Sequence, residues 1–179
     1  MRAPRCTIDS SCIIALDHLD LIPQLSLVFS VVLIPKAVRD DVYKRRTSKR
    51  RLQNLLASYA FLERCDEYDK GAVDFLLAER SRLGKKDRGE AEAVVQASQI
   101  GAMVIVDDPW GRTLAGRSDL DHHGTFWVLQ QFHELGVLSA RQLRDSVEGL
   151  LRRKIRLPLG PINRFLDEIG EAQVELPLG

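Results

Sequence analysis

The 179-residue sequence predicts an α/β fold with a mostly parallel central sheet, on three observations. Short apolar runs alternate with helix-length amphipathic segments, the pattern of strand–helix–strand units. The run MVIV, Met103–Val106, is continuously apolar, as a strand covered on both faces must be. Carboxylates stand immediately after such runs, at Asp9 and at the pair Asp107–Asp108.

The elements follow in order. Pro4–Ile8 reads as the first strand, ending at Asp9, with Ser10 or Ser11 placed to cap the helix that begins CIIALDHL. VVLI, Val31–Ile34, is a second strand, and Pro35 then suits the first turn of the helix KAVRDDVYKRR. Residues 48–58 and 69–82 read as further helices, and Arg88–Gly101 as a strong one with a glycine stop. After MVIV, the segment Gly124–Gly136 is amphipathic, with Phe126, Leu129 and Phe132 at helical spacing. Helical segments near 139–153 and 161–170 close the chain, separated by the helix-breaking RLPLGP. The expected division is a domain over 1–138 and a helical C-terminal extension over 139–179, packed on or near it.

Composition excludes several classes. Lysine plus arginine (26) nearly balance aspartate plus glutamate (25), so any attraction to nucleic acid must come from local patches. Cys6, Cys12 and Cys65 are odd in number and lack C-x-x-C spacing, against a disulfide framework or zinc site and in keeping with a reducing cytoplasm. No run approaches the ~18 apolar residues of a membrane span, and the N-terminus lacks the apolar stretch of a signal peptide.

In an open parallel sheet, ligands bind beyond the carboxyl ends of the strands. Asp9 and Asp107–Asp108 fall on that edge, Asp41 lies in the helix after the second strand, and Glu90 and Glu92 open another helix. Acids converging on one rim repel unless a cation lies among them. Each has a plainer reading alone: helix capping for Asp9, helical ion pairs for Asp40 and Asp41, the helix dipole for Glu90 and Glu92, a turn for Asp107–Asp108. Their shared placement is what argues for a site.

The succession TIDSSCIIAL, LIPKAVRDDV, RGEAEAVVQAS, VIVDDPWGRTLA and GTFWVLQQFHELGVL resembles the PIN-domain nucleases, nearest the small prokaryotic group that includes VapC-type toxins. The resemblance spans about residues 5–138 and implies a three-layer fold, a magnesium- or manganese-dependent acidic pocket, and cleavage of RNA. Matched position by position, it implies catalytic roles for Asp9, Asp41, Glu92 and Asp107 or Asp108, with Asp9, Glu92 and Asp107 holding the metal. Asp40 and Glu90 are the neighbouring alternatives for Asp41 and Glu92. Ser10 matches the hydroxyl beside the first acid. Substrate contacts are expected from Ser10, Arg45, Arg46, Arg50 and Arg112. The resemblance also implies a homodimer and, for a toxin, a small antitoxin partner.

Two basic runs are candidate phosphate tracks: KRRTSKRR, Lys44–Arg51, and RRKIR, Arg152–Arg156. Where the family has an apolar fifth strand, this chain has SDLDHHGT, so that strand is expected to be short or distorted. His122 and His123 read as surface residues rather than ligands, and the four histidines lie away from the acids in sequence. Two other α/β classes with acids at strand ends fit less well. A receiver domain places its acid pair after the first strand, and an aspartyl-phosphate phosphatase wants Asp-x-Asp where this chain has Asp-Ser-Ser. The remaining alternative is a PIN fold without catalysis, serving as an RNA- or protein-binding scaffold.

Overall fold

The computed structural model describes residues 4–44, 46–81 and 87–177. In chain order the elements are β1 (Arg5–Ile8), α1 (Ser10–His18), β2 (Val31–Pro35), α2 (Lys36–Tyr43), α3 (Arg46–Ser58), β3 (Leu62–Cys65) and α4 (Lys70–Ser81). There follow α5 (Arg88–Ile100), β4 (Met103–Ile105), α6 (Pro109–Arg117), β5 (His122–His123), α7 (Thr125–Glu134), α8 (Ala140–Arg152) and α9 (Leu159–Glu168). The five strands form one sheet in the order β3-β2-β1-β4-β5, and every pairing is parallel.

The strand order fixes where a ligand can bind. From β1 the chain moves outward through β2 to β3, then returns to the other side of β1 for β4 and β5. The direction therefore reverses between β1 and β4, which opens a crevice at their carboxyl ends. Ile8 pairs with Ile105, and the Asp9 amide donates to the Ile105 carbonyl at 3.0 Å. Asp9 and the residues just after β4 are thereby held side by side at the reversal.

Burial explains the MVIV run. Ile105 joins a large buried cluster with Ile8, Phe29, Ile34, Leu129 and Phe132 on one side of the sheet. Val104 and Val106 join a second cluster with Val94, Ala97, Leu114 and Ala115 on the other. Alternate residues of β4 thus face two helical layers, leaving no polar position. Leu143, Val147 and Leu150 of α8 and Ile162 and Leu166 of α9 belong to the large cluster, so the C-terminal helices share the core of the sheet domain.

Several boundaries differ from the sequence expectation. The helix after β2 stops at Tyr43 instead of running through Arg46, and α3 begins at Arg46. LERC forms an edge strand, β3, although its two central residues are exposed and charged; pairing with β2 overrides its poor pattern. DDPWGRTLAGR, read as a turn candidate, forms α6 instead, with Pro109 at its first position. The fifth strand is reduced to His122–His123, as the polar SDLDHHGT segment anticipates.

Candidate active site

Asp9 is the N-cap of α1. Its Oδ1 accepts the Cys12 amide at 2.7 Å, and the Ser11 hydroxyl lies 2.9 Å from both carboxylate oxygens. The residue is 1% exposed, and burial pushes its pKa from 3.8 up to about 6 against the opposing pull of the Cys12 hydrogen bond, with the Asp107 charge adding to the rise. The hydroxyl that clasps Asp9 is therefore that of Ser11, not the expected Ser10, which is half-buried at the helix start.

The structure separates Asp107 from Asp108, as sequence could not. Asp108 caps α6, its Oδ1 accepting from the amides of Trp110 at 2.8 Å and Gly111 at 3.3 Å. Asp107 instead reaches the start of α7, where its oxygens accept the Thr125 amide at 2.9 Å and the Thr125 hydroxyl at 2.6 Å. Gly124 permits this approach: a Cβ there would overlap Asp107 Oδ1. Cys12 ties the two acids together, since its amide serves Asp9 and its thiol donates to Asp107 Oδ2 at 3.4 Å. Burial, reinforced by Asp107 and Asp9, pushes the Cys12 pKa well up and keeps it a thiol donor.

Glu90 and Glu92, two residues apart on a helix, face different surroundings. Glu92 is 1% exposed with both oxygens engaged: Oε2 accepts the Ala37 amide at 2.8 Å, and Oε1 pairs with Arg88 Nε at 2.9 Å. It thus satisfies an open amide at the start of α2. Glu90 lines the crevice, packed on Gly111, where an added Cβ would meet Glu90 Cγ at 3.3 Å and Val106 Cγ2 at 2.5 Å. Burial raises its pKa to about 7, and the charges of Asp9, Asp87 and Asp108 push in the same direction. Asp41 is ion-paired with Lys44 and lies near Gly89, while Asp40 pairs with Lys36 at 2.6 Å on the exposed face. Neither lines the crevice.

The crevice opens into a cleft of about 820 Å³. Ser11, Glu90, Asp107 and Asp108 form its acidic end, with Arg112 beside them. His123 and Trp127 line another wall, their rings stacked at 4.0 Å and 11°. His123 thus shares the cleft with Asp107, correcting the reading that no histidine lies near the acids. The far wall is the turn between α8 and α9, including Lys154, Ile155 and Arg156.

The two basic runs have separate fates. RRKIR reaches the cleft; among the described residues KRRTSKRR does not. In the latter run Lys44 pairs with Asp41, and Arg51 pairs with Asp17 and Asp20 at the end of α1 remote from Asp9. Arg50 is exposed on α3; Arg45 lies outside the described residues, as does the side chain of Arg46.

Among the described residues, no three His, Cys, Asp or Glu side chains stand close enough to hold one ion between them. Magnesium needs less than that, one or two carboxylates with waters completing the shell. Asp9, Glu90, Asp107 and Asp108 have no ion-pair partner among the described residues, and the first two are raised in pKa by burial and by neighbouring acids. A rim of mutually repelling hard oxygen donors without a cation of its own suits a divalent ion.

No curated protein sequence matches the chain. A family model described as a PIN domain matches residues 5–171, nearly the whole chain and most of the C-terminal helices with it. PIN domains are generally nucleases that use divalent metal ions. With that match added to a parallel sheet reversing between β1 and β4 and carboxylates at the reversal, the chain belongs to the PIN-domain family.

Proposed function

We propose that the chain is a metal-dependent endoribonuclease, hydrolysing RNA phosphodiester bonds with magnesium or manganese at the rim formed by Asp9, Glu90 and Asp107. The observation that supports this most is the set of carboxylates without cationic partners at the β1/β4 reversal, opening on a cleft that also presents Arg112. Asp9, Glu90 and Asp107 are the residues that would hold the ion; Glu92, with both oxygens engaged, is better suited to fixing α2. The chemistry a divalent ion supplies when bound is activation of water and neutralisation of charge on the phosphoryl oxygens.

The protein's own groups orient that site. Thr125 holds Asp107 through two hydrogen bonds, and Cys12 and Ser11 hold Asp9, so neither carboxylate must reorganise far on binding. Arg112 stands where a phosphate flanking the scissile bond can be bound, its guanidinium otherwise donating only a 3.3 Å hydrogen bond to the Val106 carbonyl. The Ser11 hydroxyl covers Asp9 and must rotate aside for a cation to reach it. That cover is the one feature favouring the alternative, a PIN-fold RNA-binding scaffold without catalysis.

The deciding experiment is incubation of purified protein with end-labelled RNA in manganese, in magnesium and in EDTA. Cleavage in metal alone supports the enzyme; binding without cleavage supports the scaffold. The family resemblance supports a further assignment, the toxin of a cytoplasmic toxin–antitoxin pair acting as a homodimer. Co-purification of a small protein encoded beside the gene and light scattering of the isolated chain test those two partners.

A further inference from the structure

We propose that the turn between α8 and α9 and the His123–Trp127 pair form a nucleotide subsite beside the acidic rim, holding one phosphate and one unpaired base of a single-stranded RNA. This rests on the nuclease reading and goes beyond it by giving the C-terminal helices a role in substrate binding.

Three observations carry the subsite. The first is charge. Arg112, Lys154 and Arg156 all line the cleft, and among the described residues none pairs with a carboxylate. Elsewhere on α8, Arg144 and Arg152 both pair with Glu148, at 2.6 and 2.7 Å. The cleft therefore retains cations available to an anion while nearby surface charge is neutralised.

The second is backbone conformation. Lys154 follows α8 in the left-handed region at φ 60°, with its amide donating to Leu151 and that of Ile155 to Leu150. This is the helix-end position that glycine fills most readily, and Gly101, Gly136 and Gly170 adopt the same region after α5, α7 and α9. Asp20 and Asp119 also adopt it, but short polar side chains tolerate that region better than lysine does. A long cation is kept there at a conformational cost, and its side chain lines the cleft.

The third is the aromatic wall. His123 and Trp127 stack on each other, half-buried, at the cleft surface. An unpaired base can stack on such a platform, whereas the bases of a duplex are already stacked and paired. Cations on one wall and aromatic rings on another, with the acids at one end, match a single strand in cross-section.

The test is fluorescence anisotropy of a short 5′-fluorescein oligouridylate with the full chain in EDTA, across a salt series. Lys154→Gly with Arg156→Gln should flatten the dependence of log affinity on log salt by about 1.4, at about 0.7 per phosphate contact. Lys154→Gly alone should weaken binding while leaving the melting temperature unchanged or higher, because glycine accepts the left-handed backbone. Arg152→Gln, removing a cation paired with Glu148, should leave the slope unchanged. In a Trp110→Phe background the oligonucleotide should quench the remaining tryptophan, Trp127, and a fully paired RNA hairpin should not.

An unchanged salt slope in the double variant, or no quenching of Trp127, overturns the subsite. Loss of binding together with lowered melting temperature in Lys154→Gly assigns the turn a structural role and also overturns it. Failure of wild type to bind the oligonucleotide does the same. Cleavage of RNA by wild type in manganese is scored separately: cleavage with an unchanged slope leaves the nuclease standing without the subsite, and binding with the predicted slopes but no cleavage does the reverse.

Discussion

Replacing Asp9 by asparagine should make the metal-free protein more stable, and the amount can be worked from the site. Asp9 is raised from 3.8 to about 6 in the folded chain, chiefly by burial. At about 1.36 kcal/mol per pKa unit, the ionised carboxylate destabilises the fold by about 3 kcal/mol above pH 7. At 1% exposure there is no solvent screening to discount. Asparagine removes the charge, keeps an oxygen for the Cys12 amide and caps a helix as well as aspartate does. Disturbing the Ser11 contact returns about 1 kcal/mol, leaving a net gain near 2 kcal/mol. For a chain of this length that corresponds to a rise in Tm of about 4–8 °C.

The pH dependence gives the sign. A carboxyl whose folded pKa is raised contributes stability that is present below its unfolded pKa and lost as pH rises through the folded value, near 6 here. The advantage of Asp9→Asn should therefore be full at about pH 8, about half as large at pH 5, and absent near pH 4. Thermal melts followed by circular dichroism in EDTA at those pH values measure it. Manganese should then raise the Tm of wild type more than that of the variant, because only wild type offers the full charge to the ion. A variant no more stable than wild type at pH 8, or a difference independent of pH, would refute the argument; a carboxylate serving only as a helix cap predicts that outcome.

Three further pairs of measurements divide the remaining acids. Glu90→Gln should abolish RNA cleavage and stabilise the metal-free fold at pH 8, since the pKa near 7 marks an ionised form disfavoured by burial; Glu92→Gln should instead lose about 1–3 kcal/mol in denaturant melts, by weakening the Arg88 and Ala37 contacts. Gly124→Ala should cut turnover more than tenfold in the labelled-RNA assay at near-normal helical content, because a Cβ displaces Asp107. Asp108→Ala should cost about 1 kcal/mol of stability as a lost cap while retaining cleavage, and Asp107→Asn should retain stability while losing cleavage.

How much of this was legible in the sequence depended on what each residue answers to. The strands β1, β2 and β4 and the helix α5 announce themselves because burial on both faces, or on one helical stripe, imposes a pattern on every residue. β3 does not, because an edge strand with two exposed charged residues is stabilised by pairing alone. The convergence of Asp9 with Asp107–Asp108 was legible from strand ends plus parallel topology. The choice between Asp107 and Asp108 was not, since it turns on Gly124 and Thr125, which only the fold brings against Asp107. The choice between Glu90 and Glu92 was hidden for a like reason. Residues two apart on a helix point about 200° from each other, and which faces the crevice depends on how α5 packs against α2 and α6.

The bonds that hold the rim together also explain why its acids can be buried without a counter-charge. Carboxylates at one sheet edge repel, and burial sharpens the repulsion by removing water. Asp9 and Asp107 are held by donors that carry no formal charge: two amides, two hydroxyls and the Cys12 thiol. Neutral donors offset part of the desolvation but leave the net negative charge in place, as a lysine or arginine in the same positions would not. The field at the β1/β4 reversal therefore remains unsatisfied by protein. Arg88, by contrast, is directed to Glu92, on the side of α5 where neutralisation secures the helix and removes nothing the site requires. Placing the cation beside one glutamate and withholding it from the other, two residues away, separates the structural acid from the acid left available to an ion.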